Sequence, residues 1–178
     1  MGEGGGWPYL VEKAIQEMKH FLIGENPFEI ERLWLRLYDI LHGHGVTGSV
    51  RGGMISAIDC ALWDIKGKAL GVPVWELLGG KMRDKIWTYG RWDGLTPEAA
   101  AEQALRNVSL GLTALKGDPF DHQGLFITNE AERKAIETVA AVRNAVGDEV
   151  ELLVEVHGRL TPSAAIRIGN AIECYRPF

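Results

Sequence analysis

Val150-Glu151-Leu152-Leu153-Val154-Glu155-Val156-His157-Gly158-Arg159 starts as a strand and finishes as a polar cluster. Val150, Leu152, Leu153, Val154 and Val156 make a nearly unbroken apolar run, as in a strand buried on both faces of a parallel sheet. Glu155 interrupts that run, and His157, Gly158 and Arg159 follow it. A carboxylate in such a place is costly unless it is paired, hydrogen-bonded or bound to a metal. The C-terminal ends of strands are also where α/β proteins bind ligands. Alternation along a strand puts Glu155 and His157 on the same side. One strand end thus offers a hard oxygen ligand and a titratable imidazole to one space. The plainer alternative is an ordinary strand end with its charge in solvent.

The same grammar repeats upstream. Ile86–Tyr89 reads as a first strand, Leu112–Lys116 as a second and Glu151–Val156 as a third. Helical patterns separate and follow them. Thr96-Pro97 opens a helix through about Leu110, as N-cap and first helical residue. Thr128 caps another through about Ala145, stopped by Gly147. Thr161-Pro162 opens a third, to about Ile172. The loop Asp118 to Gly124 holds Pro119, Asp121 and His122. Successive βα units of this kind predict a parallel sheet with right-handed crossovers.

The first half of the chain is helical. After a Gly-rich start, Leu10, Val11, Ala14, Ile15, Met18, Phe21 and Leu22 recur at helical spacing and Gly24 ends the helix. The Gly-rich start follows no strand and lacks the G-x-G-x-x-G spacing, so it is not a phosphate loop. Asn26-Pro27 is expected to open a second helix with Ile30, Leu33, Trp34, Leu37, Tyr38 and Leu41 on its apolar face. His42-Gly43-His44-Gly45 follows; two histidines could bind a soft metal, but the expectation is a surface loop. Ser49 to Leu70 is a third, mostly buried helix, interrupted by Asp59 and Asp64. Gly71-Val72-Pro73 breaks it, a short helical turn follows at Val74–Leu78, and Gly79-Gly80 breaks again. The change of pattern divides the chain into 1–84 and 85–178.

The chain has 178 residues, 46% hydrophobic and 24% charged, the balance of a soluble globular protein. A net charge of −5 gives no basic face for nucleic acid or anionic membrane. No apolar run is long enough to span a bilayer, and the start lacks the pattern of a signal peptide. Cys60 and Cys174 are isolated, which suits a reducing cytoplasm better than a disulfide framework.

Two segments carry a resemblance. Ser56-Ala57-Ile58-Asp59-Cys60-Ala61-Leu62-Trp63-Asp64-Ile65-Lys66-Gly67-Lys68 and Gly71-Val72-Pro73-Val74-Trp75-Glu76-Leu77-Leu78-Gly79-Gly80 resemble a signature of the enolase superfamily, in its mandelate racemase and muconate lactonizing branch. Gly24-x-Asn26-Pro27 and Glu31-Arg32-Leu33-Trp34 are similar to the helices that precede it there. Leu115-Lys116-Gly117-Asp118-Pro119-Phe120 and Glu155-Val156-His157-Gly158-Arg159 look most like its galactonate-type sugar-acid dehydratases.

The resemblance implies an α/β fold: the first three βα units of a partial TIM-like (β/α) barrel, preceded by the helical part of an α+β capping domain. It implies Mg²⁺ held by carboxylates at the ends of three successive barrel strands, binding the substrate carboxylate and stabilising an enediolate. Residue by residue, Glu155 matches the first metal ligand and His157 the general acid on the departing hydroxyl. Lys116 matches the first lysine of the racemases' Lys-x-Lys pair. Asp118 stands where the second lysine, the usual base on that face, would be, which disfavours a racemase. The remaining metal carboxylates and the later base are not in the chain, which resembles an internal fragment. The implied function is a Mg²⁺-dependent acid-sugar dehydratase acting on a small sugar acid, homo-oligomeric at full length and inactive as this chain alone. The alternatives are a non-catalytic remnant or interaction fragment, and a racemase or cycloisomerase of the same superfamily.

Overall fold

The computed structural model describes residues 1–42, 48–120 and 126–178. The chain divides into two compact units, Met1–Asp84 and Lys85–Phe178.

The first unit is all helix. Helix α1 spans Pro8–Met18, with Pro8 at its first turn, and a 3₁₀ turn at Lys19–Phe21 extends it. Helix α2 spans Ile30–His42. The expected first helical residue, Pro27, is three residues early: the Asn26 side chain instead accepts from Phe28 N (3.0 Å), and Glu29 N donates to Asn26 O (3.1 Å). Asn26 therefore builds a turn of its own, which is what its side chain does when it competes with helix. Helix α3 spans Gly48–Leu70 and the short α4 Val74–Leu77. Val11, Ile30, Leu33, Leu37, Met54, Ile55, Ile58 and Leu62 form the core where α1 and α2 pack on α3. The burial of Ile30, Leu33 and Leu37 at helical spacing stabilises α2 by about 1.5–3 kcal/mol per side chain. On α3 one face is buried and the other exposed, so that helix is less enclosed than its composition suggests; Ile65 is 42% exposed.

The second unit is a parallel sheet with helices. Strand β1 is Gly90–Arg91, β2 Ala114–Gly117 and β3 Glu151–Val154, in the order β1-β2-β3 and parallel throughout. Helices α5 (Pro97–Ser109), α6 (Asn129–Val146) and α7 (Pro162–Ile172) follow the strands in turn. Each starts on a threonine whose hydroxyl accepts an amide of the first turn: Thr96 from Ala99, Thr128 from Ala131 and Thr161 from Ala164. Leu115 and Leu152, both fully buried, face these helices together with Ala100, Ala104, Val139, Val142 and Ile168.

Two strands differ from expectation. Ile86–Tyr89 is not a strand; the ladder begins at Gly90, which pairs with Leu115. Aromatic and branched residues favour a strand, but pairing decides where one forms. Trp87 instead donates its indole N–H to Thr113 Oγ1 (3.0 Å) and meets Phe178 edge-on. The third strand ends at Val154, although Glu155 N still donates to Gly117 O (2.8 Å). On the far side of β3, Pro177 makes a parallel bridge to Leu152 and Phe178 N donates to Leu152 O.

Candidate functional site

The register of β2 on β3 builds the site. Lys116 stands opposite Leu153, and Gly117 opposite Val154. Leu115 and Leu152 face the helices, so by alternation Ala114, Lys116 and Leu153 face the other way. Glu155, two residues beyond Leu153, falls on that side, at the C-terminal end of the sheet. There its Oε2 forms an ion pair with Lys116 Nζ. Its Oε1 accepts from His157 N (3.1 Å) and lies 3.3 Å from His157 Nδ1.

These contacts set the charge. The Lys116 ammonium, and after it the backbone N–H of His157, pull the Glu155 carboxyl down to about 2. The same bond raises the Lys116 ammonium above its ordinary value. The Lys116 Nζ also stands 5.6 Å from the centre of the Tyr89 ring. Glu155 is largely covered, at 17% side-chain exposure, whereas His157 is 64% exposed.

Period-2 alternation is not what joins Glu155 to His157. The strand has ended, and His157 lies in the left-handed region with φ 52, followed by Gly158 at φ 65. This tight turn folds the imidazole back over the carboxylate.

Asp118 makes separate contacts. Its Oδ1 accepts from Phe120 N (3.0 Å), and its Oδ2 pairs with Arg159 Nη2 (2.5 Å). Arg159 is a site residue that sequence reasoning did not single out. It stands at the end of the quoted stretch, but its partner lies 41 positions away and only the pairing of β2 with β3 joins them. Gly117, between Lys116 and Asp118, has a steric reason. A Cβ there would overlap the carbonyl oxygen and the indole ring of Trp92.

On the Lys116 side of the sheet, Trp87, Thr88, Tyr89, Ala114, Leu153 and Phe178 line a cavity of about 180 Å³. Nearly all of its lining is apolar in character apart from Thr88.

For a metal, the donor set is partial. Mg²⁺ favours about six oxygens in octahedral geometry. Glu155 fits as one hard, ionised oxygen donor. Among the described residues no group of three or more His, Cys, Asp or Glu side chains could hold an ion. The chain's own described donors therefore do not complete a Mg²⁺ site. Of the His42–His44 pair, His44 lies outside the described residues, and His42 stacks on Tyr38 at 5.7 Å. No helix among the described residues is long and apolar enough to cross a membrane.

Comparison with known proteins gives a consistent result. Residues 1–79 match the family description "Mandelate racemase / muconate lactonizing enzyme, N-terminal domain", and residues 99–178 match "Enolase C-terminal domain-like". A D-gluconate dehydratase of Thermoproteus tenax is 41% identical over 94% of this chain and 34% of its own length. A D-galactonate dehydratase of Ralstonia pickettii (strain 12J) is 39% identical over 94% of this chain and 44% of its own. The crystal structure of the 3,6-anhydro-D-galactonate cycloisomerase from Zobellia galactanivorans superposes with a TM-score of 0.86 at 31% identity. That match covers 99% of this chain and 47% of the solved one. The chain thus spans half or less of the length of these relatives, and its three-stranded sheet with helices corresponds to part of the enolase-superfamily fold.

Proposed function

The chain belongs to the mandelate racemase and muconate lactonizing enzyme family of the enolase superfamily, and from that membership we propose that it forms part of a Mg²⁺-dependent acid-sugar dehydratase. Its segment 1–84 is the helical part of a capping domain, and 85–178 the first three βα units of a modified TIM barrel. The observation that carries the reading is the convergence of Glu155, Lys116 and His157 at the C-terminal end of β2 and β3. Dehydratases among the relatives support the reaction class.

Glu155 would be one of the oxygens that hold Mg²⁺, with the others supplied from outside the described residues. When bound, the ion supplies a Lewis acid for the substrate carboxylate and for the charge that develops as the α-proton leaves. Lys116 holds a positive charge beside that place and keeps Glu155 ionised. It also offers a charge-assisted donor to an anionic substrate.

His157 serves the leaving group. Its Nδ1 faces Glu155 Oε1, so Nε2 is left to give a proton to the departing hydroxyl. The C3–O bond breaks, that oxygen takes the proton and leaves as water, and the α-proton goes to a base outside the described residues. The enol so formed becomes a 2-keto-3-deoxy acid. The likeness to a cycloisomerase favours one second reading, in which the same half-site serves an isomerisation without loss of water.

The two separate in one experiment with the full-length protein, a sugar acid and deuterated solvent. His157→Asn is expected to slow water loss more than α-proton exchange. Equal loss of both would remove the general-acid role, and isomerised acid with no keto product would favour the second reading.

A further inference from the structure

We propose that Asp118 and Arg159 form a latch that positions His157, so that Asp118 is a positioning residue and takes no proton in the reaction. The latch itself rests on geometry; only the step that His157 serves rests on the dehydratase reading above.

The reason lies in the turn after β3. His157 is a non-glycine residue at φ 52, with Gly158 beside it at φ 65. Such a conformation persists only where its surroundings over-determine it. Within the turn, Arg159 N and Arg159 Nε both donate to Val156 O, at 3.2 and 3.1 Å. Those bonds fix the turn on itself but not on the rest of the sheet. The Arg159 guanidinium supplies that anchor. Nη2 binds Asp118 Oδ2 at 2.5 Å, and Nη1 reaches Phe120 O at 3.5 Å.

Asp118 is in turn held by its own loop. Its Oδ1 accepts from Phe120 N at 3.0 Å, so one oxygen is fixed to its own loop while the other holds the guanidinium. Both partners are mostly covered, at 24% and 22% side-chain exposure. Lys116 and Asp118 flank Gly117, and Glu155 and Arg159 lie either side of His157. One ion pair therefore carries Lys116–Glu155 and the other the turn. His157 lies between them in sequence, with its backbone N–H donating to Glu155 Oε1. A planar guanidinium suits this task because it serves two acceptors in a fixed fork.

The test uses backbone amide exchange and isotope partition on the full-length protein, with Asp118→Asn, Arg159→Lys and the double variant. If the latch holds the turn, the His157 and Arg159 amides exchange at least about tenfold faster in each single variant, while β3 amides stay protected. The double variant exchanges no faster than Arg159→Lys alone, because the Asp118 contact is removed once, while Arg159→Lys itself also loses the bonds to Val156 O and Phe120 O. Unchanged exchange at His157 and Arg159, or effects that add, would overturn the latch. In the second arm, Asp118→Asn is expected to slow water loss more than α-proton exchange, the same imbalance as in His157→Asn. Loss of α-proton exchange in Asp118→Asn would make Asp118 a base and overturn the proposal. If no sugar acid turns over in the parent protein, the dehydratase reading fails and the amide arm alone still decides the latch.

Discussion

Glu155 shows how a single residue acquires its role from partners that are distant in sequence. A carboxylate beside an apolar strand needs compensation, and the chain supplies it with an ammonium from β2 and an amide from the next turn. In the full-length protein, Glu155→Gln removes the ionised donor. Mg²⁺ affinity measured by calorimetry is expected to fall by at least about tenfold, and an unchanged affinity would remove Glu155 from the ligand set. Gly117 carries a prediction of the opposite kind, about packing. Gly117→Ala must displace Trp92, which is fully buried, and is expected to cost about 1–3 kcal/mol. A denaturation midpoint unchanged from the parent would contradict that contact. Glu155 and His157 stood out in the sequence because polarity at a strand end is itself unusual, whereas Lys116 was marked only by its resemblance to a family lysine. Arg159 was not, since its partner depends on register, and no local pattern specifies which residue of a neighbouring strand end it will meet.

The helices and strands were legible in proportion to how local their causes are. Each Thr cap lies within its own element, and all three form as the sequence suggests. The start of α2 and the position of β1 depend on competition with a turn and on a pairing partner, and those two shifted. Between elements, two arginines on helices bind the unit together. Arg143 of α6, 6% exposed, donates to the carbonyls of Gly147, Val150, Tyr175 and Arg176. It thereby ties the end of α6 to the segment that bridges to β3. Arg143→Met keeps the bulk but orphans those acceptors, and chemical denaturation is expected to show a loss of roughly 2–4 kcal/mol. Arg167 of α7 grips Glu132 of α6 at 2.6–3.0 Å. Its guanidinium holds the Glu132 carboxyl below its ordinary value of 4.5. A group depressed in the folded state stabilises above its unfolded value and loses that contribution as the pH falls through the folded one. The difference in stability between parent and Glu132→Gln is therefore expected to be constant above about pH 4.5 and to shrink below it. A difference that grows on acidification would contradict the pairing.

In the second unit, aromatic side chains that line the cavity on the sheet face opposite the helices are exposed. An unpaired strand edge is an ordinary route to self-association. In the structure Leu152 is fully buried, and Pro177 and Phe178 run beside it. Among the exposed apolar side chains are Trp87 at 61%, Tyr89 at 50% and Phe178 at 75%. Each such side chain left in water forgoes about 1.5–3 kcal/mol of burial. The 178-residue chain on its own is accordingly expected to self-associate, and Trp87→Ser with Phe178→Ser to shift it toward monomer in size-exclusion chromatography. A sharp monomer peak from the parent chain would contradict this.

The proposed metal-dependent dehydratase site at Glu155 and its neighbours is open to direct assay. Its most direct measurement is release of 2-keto-3-deoxy acid from D-gluconate and D-galactonate by the full-length protein, with and without added Mg²⁺, for the parent and Glu155→Gln. Product that requires Mg²⁺ in the parent and is lost in Glu155→Gln is the predicted result. Product formed equally by both proteins, or equally in the presence of a chelator, would contradict the account.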